Sequence, residues 1–238
     1  MKNTHILIAM LLFFSSALVI LSSCSKKTDK NNNPTPSTVT DIDGNIYHTV
    51  TIGTQVWMVE NLRTTKYNNG IAIPLVNDGT SWSILTSPGY CWYDNDAATY
   101  KNTYGALYNF YAVNTGKLAP AGWHVPADSE WTILTTYLGG KSIAGGKMKS
   151  TGTIETATGL WYDPNTGATN ESGFTGLPAG NRSLPAFKDI GIFGSWWSST
   201  GDNSGEAANR SLYYSDITVW RGYGLKNFGN SVRCVKDN

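Results

Sequence analysis

Three cysteines, three histidines and nine tryptophans are the side chains of this 238-residue sequence with the most chemistry to offer. A lone nucleophilic Cys234 would need a depressed pKa and a partner base. With Cys91 it forms an even pair, which in an oxidising compartment reads better as one disulfide closing a very long loop. The chain-entropy model credits such a bridge with roughly 4–5 kcal/mol; the alternative is two buried thiols that never meet. His48 falls in a β-rich run and His124 stands between Trp123 and Val125. Neither has a Glu or Cys at zinc-type spacing, and no H-E-x-x-H or G-x-S-x-G is present. His124, in an aromatic corner flanked by proline, reads as a hydrogen-bonded core residue rather than a catalyst.

Oxygen ligands are no more persuasive. Asp41-x-Asp43-Gly44-Asn45 has the alternating oxygens of a calcium loop, but its glycine is two places early and Ile52 stands where the twelfth-position carboxylate belongs. A turn entering a strand explains the same residues, and Asp94-Asn95-Asp96 reads as a polar turn too. No cofactor is expected, and calcium is unsupported. Sugar binding needs only aromatic faces with polar neighbours. Trp92, Trp161, Trp196, Trp197 and Trp220 are candidates beside turn-rich stretches, with Asp163 and Asn165 as polar companions. At least three of these five indoles are expected to be mainly core, because large aromatics replace missing regular structure in loop-rich domains. Asp163 and Glu171 are the carboxylates that a polysaccharide hydrolase would use. The sequons at Asn170 and Asn209 read as chance.

The remaining cysteine is different. Lys2 precedes an apolar run from Ile6 to Leu21, and Leu21-Ser22-Ser23-Cys24 follows. This is a charged start, an apolar segment and small residues at a cut site, the anatomy of a secretory leader, and the cysteine makes it resemble a bacterial lipobox. The resemblance implies diacylglyceryl on the Cys24 thiol and a further acyl chain, such as palmitate, on the new amino terminus. At about 0.8 kcal/mol per buried methylene, two acyl signals already anchor stably. The run is shorter than the roughly 18 apolar residues of a spanning helix. Ser25 gives no inner-membrane retention signal, so the expected location is the outer membrane.

Removing residues 1–23 takes away Lys2 alone and leaves 17 basic against 17 acidic residues. A balanced chain lacks the basic face that nucleic acid requires. Charged residues are 15% of the sequence, against about 25% in average soluble domains. Residues 24–40 hold Pro, Asn, Ser, Thr and Lys with Val39 as their one large apolar side chain, too little to offset ordering, and read as a disordered tether after the lipidated cysteine. Residues 41–238 form the folded domain.

Within it, Ile46–Ile52 and Gln55–Val59 read as a hairpin turning at Gly53-Thr54. Residues 66–90 read as a long loop with short strands. Tyr104, Leu107, Tyr108 and Tyr111 predict one helix to Val113. A second helix runs from Pro126 to Gly139-Gly140, with Trp131, Leu134 and Leu138 on one stripe. Residues 141–195 read as loops around short strands. Ser195–Ser199, Arg210–Tyr214, Ile217–Tyr223 and Ser231–Val235 are further strand candidates. The result is an α+β domain, loop-rich, with two helices and short antiparallel strands.

Five segments appear in order: DIDGNIYHTVTIGTQVWMVENLRTTKYN, YGALYNFYAVNTGKLAPAGWHVPADSEW, ATNESGF, WWSST and SVRCVKD. Together they resemble the Fibrobacter succinogenes major paralogous domain family over about residues 41–237, a family of secreted or lipid-anchored proteins of Bacteroidetes and Fibrobacteres without established activity. GWHVPADSEW and SVRCV also resemble the formylglycine-generating enzyme superfamily, which implies a C-type-lectin-like fold. Those enzymes use a closely spaced cysteine pair near the C-terminal end; Cys234 is alone there, so that activity is not expected. Of the two calcium triplets of C-type lectins, Asp163-Pro164-Asn165 resembles the first weakly and the second is missing. The family usually has Ser or Thr where Ala127 stands, so the capping box with Glu130 lacks its first oxygen unless Asp128 shifts the helix start. Many relatives carry Cys where Ala119 stands, and its loss beside Cys91 and Cys234 is consistent with those two pairing.

The sequence reading is thus a non-catalytic, lipid-anchored envelope module held to the membrane by its acyl chains. Its ligand would be a glycan or an envelope protein. The rivals are a polysaccharide-acting hydrolase and a structural or adhesion component of the outer membrane.

Overall fold

The computed structural model of the protein describes residues 37–202 and 204–238. The leader, Cys24 and the tether up to residue 36 lie outside the described residues. The last tether residues are already sheet. Strand β1 (Thr38–Thr40) pairs antiparallel with β2 (Ile46–Ile52), Val39 opposite Tyr47. Asp41 closes the turn between them: its Oδ1 accepts the backbone N–H of Asp43 and Asn45 at 3.0 and 2.9 Å, and its Oδ2 accepts the Tyr47 hydroxyl at 2.6 Å. Asp43 is held by Thr65 and Lys66. Both carboxylates therefore serve the turn. Gly53-Thr54 then folds β2 onto β3 (Gln55–Met58), with Ile52 opposite Gln55.

A short helix α1 (Gly79–Ser83) breaks the long loop, capped by Asp78, whose carboxylate accepts the Ser81 N–H at 2.7 Å. Strand β4 (Tyr90–Cys91) and helix α2 (Ala97–Tyr104) follow, the latter capped by Asp96. The helix expected over 104–113 is not formed. Gly105 has φ +77°, and a Cβ there would stand 2.8 Å from the Leu62 carbonyl, so the chain turns out of α2 at a place only glycine fits. It enters β5 (Leu107–Tyr108), which pairs with β4. Asn109 then caps the short α3 (Phe110–Val113), its Oδ1 accepting the Ala112 N–H at 3.0 Å. The stripe is buried all the same: Tyr104 ends α2, and a ribbon rather than a helix face carries Leu107 and Tyr108 inward.

Strand β6 (Trp123–His124) precedes α4 (Asp128–Tyr137), where Trp131 and Leu134 are buried as the stripe predicts. Ala127 occupies the N-cap and has no oxygen to offer; only the reciprocal half of the box survives, Glu130 Oε2 accepting the Ala127 N–H at 2.8 Å. After Gly139-Gly140, both at positive φ, comes α5 (Lys141–Met148), which corrects the loop reading there. Gly145 and Gly146 lower its intrinsic propensity. They are there for packing: a Cβ on Gly145 would stand 2.7 Å from the Ile217 and Thr218 carbonyls.

Five strands then build a second sheet: β7 (Ala179–Ser183), β8 (Ala186–Ile190), β9 (Phe193–Gly201), β10 (Glu206–Tyr213) and β11 (Trp220–Leu225), in the order β11-β10-β9-β7-β8. Its pairs are antiparallel except β7 with β9. The final strand β12 (Val235–Lys236) returns to the first sheet, whose order is β1-β2-β3-β12-β6. The fold is mixed helix and sheet, mostly strand, with five α-helices among the described residues where two were expected. None of these helices is long and apolar enough to cross a membrane.

One hub ties the sheets together. Asn61 Oδ1 accepts the Trp196 indole N–H and the Arg233 guanidinium, each at 2.8 Å, while its Nδ2 donates to the Tyr104 carbonyl at 2.9 Å. Arg233 is fully buried without a carboxylate. It donates to the Phe174 carbonyl and lies 4.1 Å from the Phe174 ring centroid and 5.7 Å from that of Trp196. A buried cation costs least where carbonyls and aromatic faces replace its water.

The two cysteines do not form the expected bridge; both are free and buried. Cys91 packs with Trp82, Tyr93 and Leu107, whereas Cys234 belongs to a separate cluster with Tyr47, Met58 and Tyr108. Burial pushes the Cys91 thiol up to about 12 and the Cys234 thiol upward as well, the opposite of what a nucleophile needs.

Candidate functional site

The outer face of the second sheet carries the site. Along β10, Asn209, Ser211 and Tyr213 fall at alternate positions and so share one face. Register extends these rows across the sheet: Trp220, Ser211 and Ser195 lie side by side, then Gly222, Asn209 and Trp197, while Tyr213 stands opposite Phe193. A groove of about 330 Å³ opens over them, and Asn181 of β7 and Asn230 complete its polar floor.

Glycine keeps it open. A Cβ on Gly222 would stand 3.1 Å from Asn209 Oδ1, and one on Gly224 3.3 Å from the Trp197 ring. The rim is aromatic. Trp220 and Tyr223 are each 51% exposed and Tyr213 39%, and Phe193 stacks on Tyr213 with ring centroids 4.8 Å apart. The floor is polar and uncharged. Ser211 donates to Asn209 Oδ1 at 3.3 Å. The Oδ1 atoms of Asn181 and Asn230 are buried and meet no protein donor. Turning either amide therefore breaks no hydrogen bond to its oxygen and can present an acceptor to the groove.

The one charged lining residue is Arg221, and it shares its counter-ion with a second arginine. Its Nε donates to both oxygens of Asp128, at 3.1 and 2.9 Å, and Arg210 reaches the same carboxylate at 2.5 Å. Burial opposes ionisation of Asp128, but the hydrogen bonds from Arg210 and Arg221 prevail and hold its pKa below the usual carboxylate range. A further Arg221 nitrogen donates to the Tyr223 hydroxyl at 2.6 Å.

Trp220 is held from below. Its indole N–H donates to Asp216 Oδ2 at 2.8 Å. The Asp216 carbonyl in turn accepts the buried ammonium of Lys149 at 2.9 Å, as do the Thr166 and Tyr213 carbonyls at 2.9 and 3.0 Å. Burial lowers the Lys149 pKa to about 8. One cation thus pins the turn after β10 whose carboxylate orients the exposed indole.

Of the five indoles singled out by sequence, Trp220 alone is exposed. Trp92, Trp161, Trp196 and Trp197 are buried core, which corrects them as stacking platforms, although the Trp197 ring packs against Gly224 of the groove. Asp163 is exposed elsewhere, its N–H bonded to Glu155. Asn165 is buried, its Nδ2 donating to the Ser150 and Gly152 carbonyls. Glu171 pairs with Lys147 at 2.8 Å. None of these three lines the groove. Asn209, flagged as a sequon, is 9% exposed in the groove floor.

Sequence reasoning missed Asn181, Ser195, Ser211, Tyr213, Tyr223, Phe228 and Asn230. The available signal was alternation, in Asn209-x-Ser211-x-Tyr213 beside Trp220-x-Gly222-x-Gly224.

The two described histidines, His48 and His124, sit apart from the groove. His48 Nδ1 meets Glu60 at 2.7 Å on the surface. His124 is half-buried rather than core, between Asp237 at 2.6 Å and Glu130 at 2.8 Å. Desolvation opposes its charge, but its hydrogen bonds to the Asp237 and Glu130 carboxylates prevail and raise its pKa. Among the described residues no three His, Cys, Asp or Glu side chains converge to hold a metal ion.

No curated protein and no solved structure matches this chain. The model of the Fibrobacter succinogenes major domain matches residues 50–236, which takes in the end of β2, β3, α4, the grooved sheet and Arg233. The chain belongs to the Fibrobacter succinogenes major domain family.

Proposed function

We propose that this protein is a non-catalytic binding module of the cell envelope. Lipid on Cys24 anchors it, the following residues hold it off the outer membrane, and the groove takes a neutral carbohydrate. The observation that carries the reading is the pairing of an exposed aromatic rim (Trp220, Tyr213, Tyr223) with an uncharged floor of side-chain amides and hydroxyls. A sugar ring offers an apolar face to stack and hydroxyls that both donate and accept. Hydrolysis would need two carboxylates flanking the bond. None of the lining residues is a carboxylate, which favours binding.

The fold is read as C-type-lectin-like on the strength of Gly122–Trp131 and Ser231–Val235. It is supported by the way these segments set β6 beside β12 at the foot of α4.

The test is a glycan array followed by calorimetry on the full chain, with and without calcium. Binding to a neutral glycan, unchanged by calcium and weakened about tenfold by Trp220→Ala, is expected. Silence on all glycans together with capture of one envelope protein would replace the sugar by a protein partner. For the anchor, Cys24→Ser should release the protein from membranes. An unacylated native amino terminus by mass spectrometry would overturn that part.

A further inference from the structure

Arg210 alternates with Asn209 and Ser211 along β10 and so points away from the groove floor, toward Asp128 at the head of α4. Register sets Arg221 of β11 directly opposite it. Two like charges facing each other across a strand pair repel. Asp128 answers both, 2.5 Å from Arg210 and 2.9 Å from Arg221, but one carboxylate balances only one of them. One and two turns along the same face of α4 come Thr132, Thr135 and Thr136. Between these threonines and the two arginines lies a cavity of about 260 Å³, with Lys141 of α5 on its wall. The Lys141 carbonyl accepts the Val219 N–H at 2.7 Å, which fixes its backbone beside the start of β11. Every ionisable group lining this cavity is a cation. Among the described residues Lys141 makes no ion pair. Arg221 spends its Nε on Asp128 and one terminal nitrogen on the Tyr223 hydroxyl, and its other terminal nitrogen meets no acceptor among them.

From this geometry we infer that the cavity between α4 and the β10–β11 pair is an anion site that takes a tetrahedral dianion: sulfate, or phosphate either free or as a monoester. It is a second site, and it does not depend on what the groove binds. Three cations against one carboxylate leave two positive charges unmatched, and a dianion supplies both. The guanidinium fork pairs with two oxygens of such a group, and a lysine adds a point charge. Arg210 is 3% exposed, so its interaction with an anion is screened less than that of a surface arginine. The Thr132 and Thr135 hydroxyls already donate to the Asp128 and Thr132 carbonyls and so offer no further proton. The cations therefore supply most of the recognition. A carboxylate would answer only half of the excess charge, and a neutral group none of it.

The test is calorimetry on the full chain at constant ionic strength with sulfate, inorganic phosphate, glucose 6-phosphate and acetate. Sulfate and phosphate should saturate with a Kd of about 1 mM or tighter, and acetate should bind about tenfold more weakly or not at all. Lys141→Gln should weaken both dianions about tenfold, and Lys141→Arg should restore them. The Lys141 side chain is exposed and makes no ion pair, so Lys141→Gln should keep the native urea midpoint in buffer without either anion. Sulfate should raise the thermal midpoint of the native chain more than that of Lys141→Gln. Glucose 6-phosphate binding as tightly as phosphate would support the site with an ester as its ligand; binding of the inorganic ions alone would support it with a free ion. No saturation by about 10 mM, or binding that Lys141→Gln leaves intact, would overturn the site. Acetate bound as tightly as sulfate would overturn the dianion.

Discussion

The indole N–H of Trp220 donates to Asp216 Oδ2 at 2.8 Å, and this contact fixes an exposed rim ring of the groove to a turn that a buried ammonium holds in place. The rim is therefore ordered before anything binds, and a ligand stacking there has less entropy to lose.

Asp216→Ala should weaken glycan binding about two- to tenfold, the worth of one ordinary hydrogen bond. The domain should stay folded, since Asp216 is on the surface side of the turn and its carbonyl, which Lys149 uses, is retained. Calorimetry and the Trp220 fluorescence spectrum would check both halves.

Asn61→Ala should be severely destabilising. The substitution leaves the Trp196 indole and the Arg233 guanidinium without their shared acceptor, and the Tyr104 carbonyl without a donor. Each buried orphan costs about 1–3 kcal/mol, and more where charged. Urea unfolding should show a loss of at least about 3 kcal/mol. Asn61→Asp, which keeps the acceptor, should lose less.

His124 makes stability depend on pH in one direction. Its folded pKa is raised, so between the unfolded value of about 6.5 and the folded value the native state holds the proton more tightly. Its stabilising contribution is complete below about pH 6.5 and is lost as pH rises through the elevated folded value. Urea midpoints measured from pH 5 to 9 should fall across that window, and His124→Gln should remove the slope.

Cys91 and Cys234 should both be free thiols in the native protein. Alkylation should label them only after unfolding, because both are buried, and reductant should leave the unfolding midpoint unchanged. A midpoint that falls in reductant would restore the disulfide.

Much of the frame was legible because it rests on local rules. The hairpin at Gly53-Thr54 follows from two β-rich runs and a tight turn, and α4 from a stripe bounded by proline and a glycine pair. The helix expected at 104–113 failed because the same spacing is satisfied by a ribbon when Gly105 redirects the chain. Helix α5 was illegible because its glycines answer to distant backbone, Gly145 to the carbonyls of residues 217 and 218 and Gly146 to that of Gly167. The groove was half-visible. Trp220 stands out by type, but Asn181, Ser195 and Asn230 become a floor only through strand register and the parallel pairing of β7 with β9. The four buried indoles carry no local mark that distinguishes them from Trp220.

Strand β12 enters the first sheet at Val235, which stands between Trp57 on one side and His124 on the other, with Lys236 opposite Trp123. The middle of that sheet is thus supplied by a segment distant in sequence from both of its neighbours. Without it the β2–β3 hairpin and β6 have no partner to join them, so closing this sheet waits on a long-range pairing.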